Sequence, residues 1–340
     1  MPSDAETRGT HLRGLTVLAG LAVLLPALIF AGLFAGAVAL DIGTVLNSLL
    51  DIDGPRQDFI VLQSRLPRGL LAALAGGALA LSGALIQALM RNPLASPKIV
   101  GINSGAALAV LIAAFYIPAL PQSLLPVPAV IGGVIAGALV WWCAQRGNID
   151  PRHLTLVGLA IGLSLDAGVE ALLVANTGPE SSAPLIWLTG SLWGRGWAHI
   201  ASVAPILLGL SLMVLVLAFR LDLQALGPDR AAGVGVRVGL ERGLALLAAV
   251  ILASVAVSVV GVLGFVGLMA PHIATRLVGG RHRIMLPTAA LFGAVLTVSA
   301  DTIGRAVRPP LEISAGILTA LMGAAFFIWL LLAEDRRTYQ

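Results

Sequence analysis

Apolar runs long enough to cross a lipid bilayer recur from Leu15 to Ala333, and no soluble core of this length can hide them all. A helix rises about 1.5 Å per residue, so roughly 20 apolar residues span a hydrocarbon core of about 30 Å. On that measure the chain reads as ten spans: Leu15–Leu40, Leu70–Met90, Ile99–Ile117, Leu125–Ala144, Leu154–Ala175, Ile200–Phe219, Leu244–Val262, Leu263–Val278, Leu286–Gly304 and Ile313–Ala333. Pro271 and His272 interrupt the eighth. Hydrocarbon offers no water to backbone groups, so only helices and closed barrels cross it, and a barrel would show short alternating segments instead. With 58% hydrophobic and 11% charged residues, the expectation is an all-α polytopic membrane protein of about ten transmembrane helices, forming one domain over residues 1–340. Leu15–Leu40 is too long for a signal-peptide core and lacks a cleavage site, which makes it a retained span.

An even number of spans places both termini on one side. Of the 21 lysines and arginines, only Arg56, Arg65, Arg68, Arg195, Arg305 and Arg308 fall on the side opposite the termini. Basic loops stay cytoplasmic, so the termini are expected inside and those six arginines outside. The same rule accounts for the net charge of +4 without invoking nucleic acid, because the basic residues are scattered between apolar runs. Cys143 is alone, which excludes an intrachain disulfide. Glycines spaced one helical turn apart at Gly32/Gly36, Gly133/Gly137 and Gly158/Gly162 suit close helix packing.

The sequence offers no catalytic constellation, and the chain is not expected to be its own ATPase. A phosphate-binding loop needs a lysine after a glycine-rich turn, and the only lysine is Lys98 in SPKIVG. The five histidines show neither metal-ligand pairing nor an HExxH arrangement. Transport remains. Asp166 and Glu170 lie four residues apart on one face of the fifth span, where an ionisable group is costly unless it lines a pathway or meets a partner. Asp301 and Glu312, near span ends, read as interfacial. The longest polar excursion, residues 220–242, carries Leu221, Leu223, Leu226 and Ala231 as an apolar face and is broken by Gly227, Gly233 and Gly235, so it predicts one or two surface helices suited to a partner.

RLPR at Arg65–Arg68, SGALIQALMRNPLASP at Ser82–Pro97 and GINSGA at Gly101–Ala106 resemble the permease of FecCD-type ABC importers. LQALGPDRAAGVGV at Leu223–Val236, GFVGLMAPHIATRLVGGRHR at Gly264–Arg283, ADTIGR at Ala300–Arg305 and the run from Pro309 to Leu332 extend the resemblance over essentially the whole chain. WLTGSLWGRGW at Trp187–Trp197 and GGRHR at Gly279–Arg283 look most like the ferric-citrate permeases of that family. The resemblance implies a type II importer fold: two permease subunits, identical or related, with two cytoplasmic ATPases that use ATP and Mg²⁺, and a substrate-binding protein outside. This chain itself would bind no cofactor. By the same resemblance, Arg65, Arg68 and Arg305 dock the binding protein, Asn92 and Leu94 form a cytoplasmic gate, and Leu226, Gly227, Ala231 and Gly235 couple to the ATPase. A second family gate falls near Pro151 and Arg152, which depart from the small hydroxylic type, so no gate is assigned there. The implied cargo is an iron(III) chelate of the ferric-citrate or siderophore type. Haem or cobalamin in the same importer class is an alternative, as is an ion-coupled carrier using Asp166 and Glu170.

Overall fold

Each of the ten apolar runs folds as a helix. The computed structural model describes residues 4–117, 119–121, 124–145, 151–176, 182–225 and 227–338, and among them there is no strand. Seven helices there are long and apolar enough to cross a membrane, and three shorter apolar ones, Ile102–Tyr116, Val266–Val278 and Ala315–Leu330, complete the ten. In chain order the elements are α1 (Asp4–Gly32), α2 (Ile42–Leu50), a π-helical turn (Phe59–Arg65), α3 (Leu66–Met90), α4 (Ile102–Tyr116), α5 (Pro126–Gln145), α6 (Pro151–Ala175) and α7 (Ser182–Leu188). They continue as α8 (Trp197–Val216), α9 (Ala218–Ala225), α10 (Pro228–Gly233), α11 (Val238–Val260), α12 (Val266–Val278), α13 (His282–Ala306) and α14 (Ala315–Thr338).

Two span ends differ markedly from the hydropathy reading, each for a local reason. The first span stops at Gly32 rather than Leu40, and Gly36, with φ +144°, lies in the turn that follows, so Gly32 and Gly36 do not share a helix face. A separate helix, α2, follows that turn; its N-cap is Asp41, whose carboxylate accepts from the Thr44 amide at 3.1 Å. The seventh span starts at Val238, taking in Glu241 and Arg242, because both charges sit in its first two turns, within reach of the polar segment before it.

The core is built around α3, which packs against α8, α11, α12 and α13 and is almost wholly buried. Its glycines set the spacing. A Cβ on Gly76 would lie 2.4 Å from the Gly293 carbonyl oxygen, and one on Gly293 would lie 2.5 Å from that of Gly76, so α3 and α13 touch backbone to backbone. Gly83 comes closer still to α12, where an added Cβ would sit 1.7 Å from the Gly267 oxygen. This contact explains why Pro271 does not break α12. A proline cannot donate to the carbonyl four residues back, which here is Gly267, and that oxygen instead faces the Cα of Gly83.

Gly83→Ala is therefore expected to lower stability by about 2–3 kcal/mol through overpacking against backbone that cannot move aside. Gly209→Ala, with nothing within 4 Å of the added carbon, serves as the control and is expected to be neutral or better. Thermal unfolding of the two variants in the same detergent measures the difference.

Candidate functional site

At one end of α3 lies a charged cluster that hydropathy does not reveal. Arg65 closes the π-helical turn, and Pro67 follows at the start of α3, where a missing N–H costs nothing. That junction turns Arg65 and Arg68 inward: they are 6% and 8% exposed, and Arg305 on α13 is 4% exposed. Arg65 donates from Nη1 to the Leu33 carbonyl and from Nη2 to that of Val38, both at 2.6 Å. Arg305 donates from Nη1 to the carbonyls of Gly32 at 3.0 Å and Ala35 at 2.8 Å. The carbonyl of Gly32 at the end of α1 and those of Leu33, Ala35 and Val38 in the turn after it are thus taken up by two guanidinium groups, which suit the negative end of a helix.

Asp301 joins the cluster from α13. Its side chain is 2% exposed, so it is not interfacial in the simple sense read from its position. Arg68 grips it by two nitrogens, Nε at 2.9 Å and Nη2 at 2.8 Å from Oδ1, while Arg305 Nε donates to Oδ2 at 3.1 Å. The remaining nitrogen of Arg68, Nη1, reaches Glu312 Oε2 at 2.8 Å in the link between α13 and α14. The Trp187–Trp197 segment covers the π-helical turn: Trp197 Nε1 donates to the Leu62 carbonyl at 2.7 Å. Next to it Arg195, whose Nη1 lies 2.8 Å from His199 Nε2, has its pKa lowered by burial.

At the other end of α3, Arg91 caps the helix in the left-handed region at φ +47°. Asn92 follows, its side-chain oxygen accepting from the Leu94 amide at 2.9 Å and its carbonyl accepting from the Ala95 amide at 3.1 Å. The NPLASP turn is therefore held by its own hydrogen bonds, with Leu94 exposed. A cavity of about 350 Å³ lies beside it, lined by Gln87, Arg91, Gln224, Arg242 and His282 among others.

The segment between α8 and α11 forms α9 and α10 with glycine corners, Gly227 at φ +103° and Gly235 at φ +85°. Ala231 is fully buried on α10, while an added carbon at Gly227 or Gly235 would meet nothing within 4 Å. Leu226 lies outside the described residues. The attachments of the segment are polar. Asp222 Oδ1 accepts from the His282 amide at 2.8 Å and lies 2.7 Å from His282 Nδ1, at the start of α13. Arg220 Nη1 pairs with Glu241 at 2.8 Å, and Gln224 donates to the other oxygen of Glu241 at 3.1 Å. Sequence reasoning singled out none of Asp222, Gln224, Glu241 and His282; the one available signal was a histidine in GGRHR at a span start.

Asp166 and Glu170 lie on α6, half-buried and exposed respectively, on a helix whose faces are mostly open. Neither joins the two charged clusters. Among the described residues no group of three His, Cys, Asp or Glu side chains comes together to hold a metal.

A bundle of ten apolar helices with the buried α3 at its centre defines the class as a polytopic membrane protein. The model of the FecCD transport family matches residues 24–333, and the chain belongs to that family. It is 43% identical over 332 residues to the Fe(3+)-citrate import system permease protein YfmE of Bacillus subtilis (strain 168), covering 98% of this chain and 99% of that one. It is 41% identical over 278 residues to the Fe(3+) dicitrate transport system permease protein FecD of Escherichia coli (strain K12), covering 82% and 86%. Among solved structures, an inward-facing one assigned to the metal-chelate type of ABC transporter superposes with a TM-score of 0.83 at 30% identity, covering 94% of this chain and 99% of that one.

Asp301→Asn would leave two buried guanidinium groups short of their shared counter-charge, and a loss of about 3–5 kcal/mol in stability is expected. Arg56→Gln breaks only the exposed pairs with Asp51 and Asp58, worth about 0–1 kcal/mol. Comparing folded yield and thermal midpoint of the two variants checks the contrast.

Proposed function

We propose that this chain is the membrane-spanning permease subunit of an ATP-driven importer that carries an iron(III) chelate of the ferric-citrate type through the cytoplasmic membrane. The observation that carries the cargo is the similarity, over nearly the full length, to a permease named for Fe(3+)-citrate import. Energy comes from elsewhere, because the only lysine, Lys98, sits in no phosphate-binding loop. Two separate ATPase subunits use ATP and Mg²⁺, and this chain binds no cofactor of its own. A substrate-binding protein delivers the chelate from outside.

The arginine minority puts the Arg65 end outside and the Asn92 end, with both termini, inside. On this reading Arg65, Arg68 and Arg305 organise the surface that receives the binding protein. Asn92 and Leu94 form a gate at the inner mouth. Residues 220–242, through Leu226, Gly227, Ala231 and Gly235, sit against the ATPase and transmit its closure to the bundle through Asp222–His282 and Arg220–Glu241. A second permease, identical or related, is supported by α6, whose Asp166 and Glu170 lie on its more open side; an exposed carboxylate there requires a water-lined pathway or a partner rather than lipid.

The test is uptake of radiolabelled ferric citrate into vesicles holding the assembled importer. Uptake is expected to fall to background when the P-loop lysine of the ATPase is replaced, and uptake that persists would mark an ion-coupled carrier instead. At Gly227, φ +103° and ψ 156° define backbone space almost closed to side chains. Gly227→Val is expected to cut ATP-coupled uptake several-fold while co-purification of the two permeases stays unchanged.

A further inference from the structure

The three arginines that the docking reading offers to an outside partner are already engaged inside the chain. Arg65 and Arg305 are spent mainly on main-chain oxygens at the end of α1, acceptors that cannot leave. Arg68 is different. Its Nε and Nη2 are fixed on Asp301, but its Nη1 holds a carboxylate that is 30% exposed, that of Glu312. Glu312 lies in the α13–α14 link, which is fastened just beyond it: the Ile313 amide donates to the Gly304 carbonyl at 3.0 Å, and Thr189 Oγ1 donates to Ser314 Oγ at 2.7 Å. The side chain can therefore swing away while the link stays in place. Among the described residues the carboxylates that Arg65, Arg68 and Arg305 face are Asp301 and Glu312, so three guanidinium groups share two carboxylates, a surplus that favours one more anion.

We propose that Glu312 is an internal stand-in for a carboxylate of the substrate-binding protein. On docking, an acidic side chain of the partner takes Arg68 Nη1 and Glu312 turns out into water. One carboxylate replaces another, so no buried charge is left unpaired during the exchange, and Asp301 keeps the guanidinium oriented throughout. The inference rests on the docking reading and gives it a consequence: the permease competes with its own delivery partner, which weakens the complex and helps the emptied partner to leave.

The experiment uses the assembled transporter in nanodiscs, with the substrate-binding protein that stimulates its ATPase activity as the probe, and measures Kd. Glu312→Gln removes the competitor while leaving Arg68 on Asp301, and is expected to tighten binding about tenfold, a modest value for a close charge pair at an interface. Arg68→Lys keeps a positive charge for Asp301 but lacks the planar fork whose Nε and Nη2 hold Asp301 while Nη1 reaches outward; it is expected to weaken binding and to abolish the effect of Glu312→Gln. Unchanged or weaker binding by Glu312→Gln overturns the exchange. So does equal tightening in the Arg68→Lys background, which would mark a general charge effect. If Arg68→Lys binds the partner as well as the unsubstituted chain, the docking reading itself falls.

Discussion

One carboxylate holds the Arg65 end of this bundle together. Asp301 accepts from Arg68 and from Arg305, and each of those side chains continues elsewhere, Arg68 from the start of α3 to Glu312 and Arg305 from α13 to the end of α1. Three helices meet through this one buried carboxylate and the two guanidinium groups that hold it. The geometry of α1 follows from it, since the helix can end at Gly32 only where donors wait for its last carbonyls. The position of the π-helical turn follows too, since it presents Arg65 to the same stretch of main chain.

The opposite end is organised by hydrogen bonds of shorter reach. The Asn92 turn satisfies itself, and the α9–α10 segment is tied to α11 and α13 by two polar links, leaving its glycine corners open around it. A cavity of about 350 Å³ lined by Arg91 and Arg242 lies beside this segment at the end of α3.

Much of the architecture was legible because membrane spans are local signals. Length and hydropathy alone place all ten helices, and the RLPR and ADTIGR motifs draw attention to the arginines that form the cluster. What escaped is long in range or carried by the main chain. The partner of Arg68 is 233 residues away, and the carbonyls that Arg65 and Arg305 satisfy leave no mark in a sequence. Hydropathy runs on to Leu40 because Leu33 to Leu40 are apolar residues, whichever way their backbone turns. Asp222 and His282 escaped for the same reason as Asp301: each looks like an ordinary loop or helix-end residue until its partner, 60 residues away, is brought beside it.

The central place of α3 also governs the order in which the chain can mature. Its partners are synthesised late: Ser82 donates to the carbonyl of Ala249, 167 residues on, and Asp301 comes later still. At about 5–20 residues per second, α3 waits roughly ten to fifty seconds in the bilayer before the helix that carries Asp301 emerges. During that interval its glycine-lined grooves and two arginines have only lipid, the earlier helices or insertion machinery for company. A nascent chain truncated before α13 is thus a bundle without its counter-charge, and a natural substrate for membrane quality control.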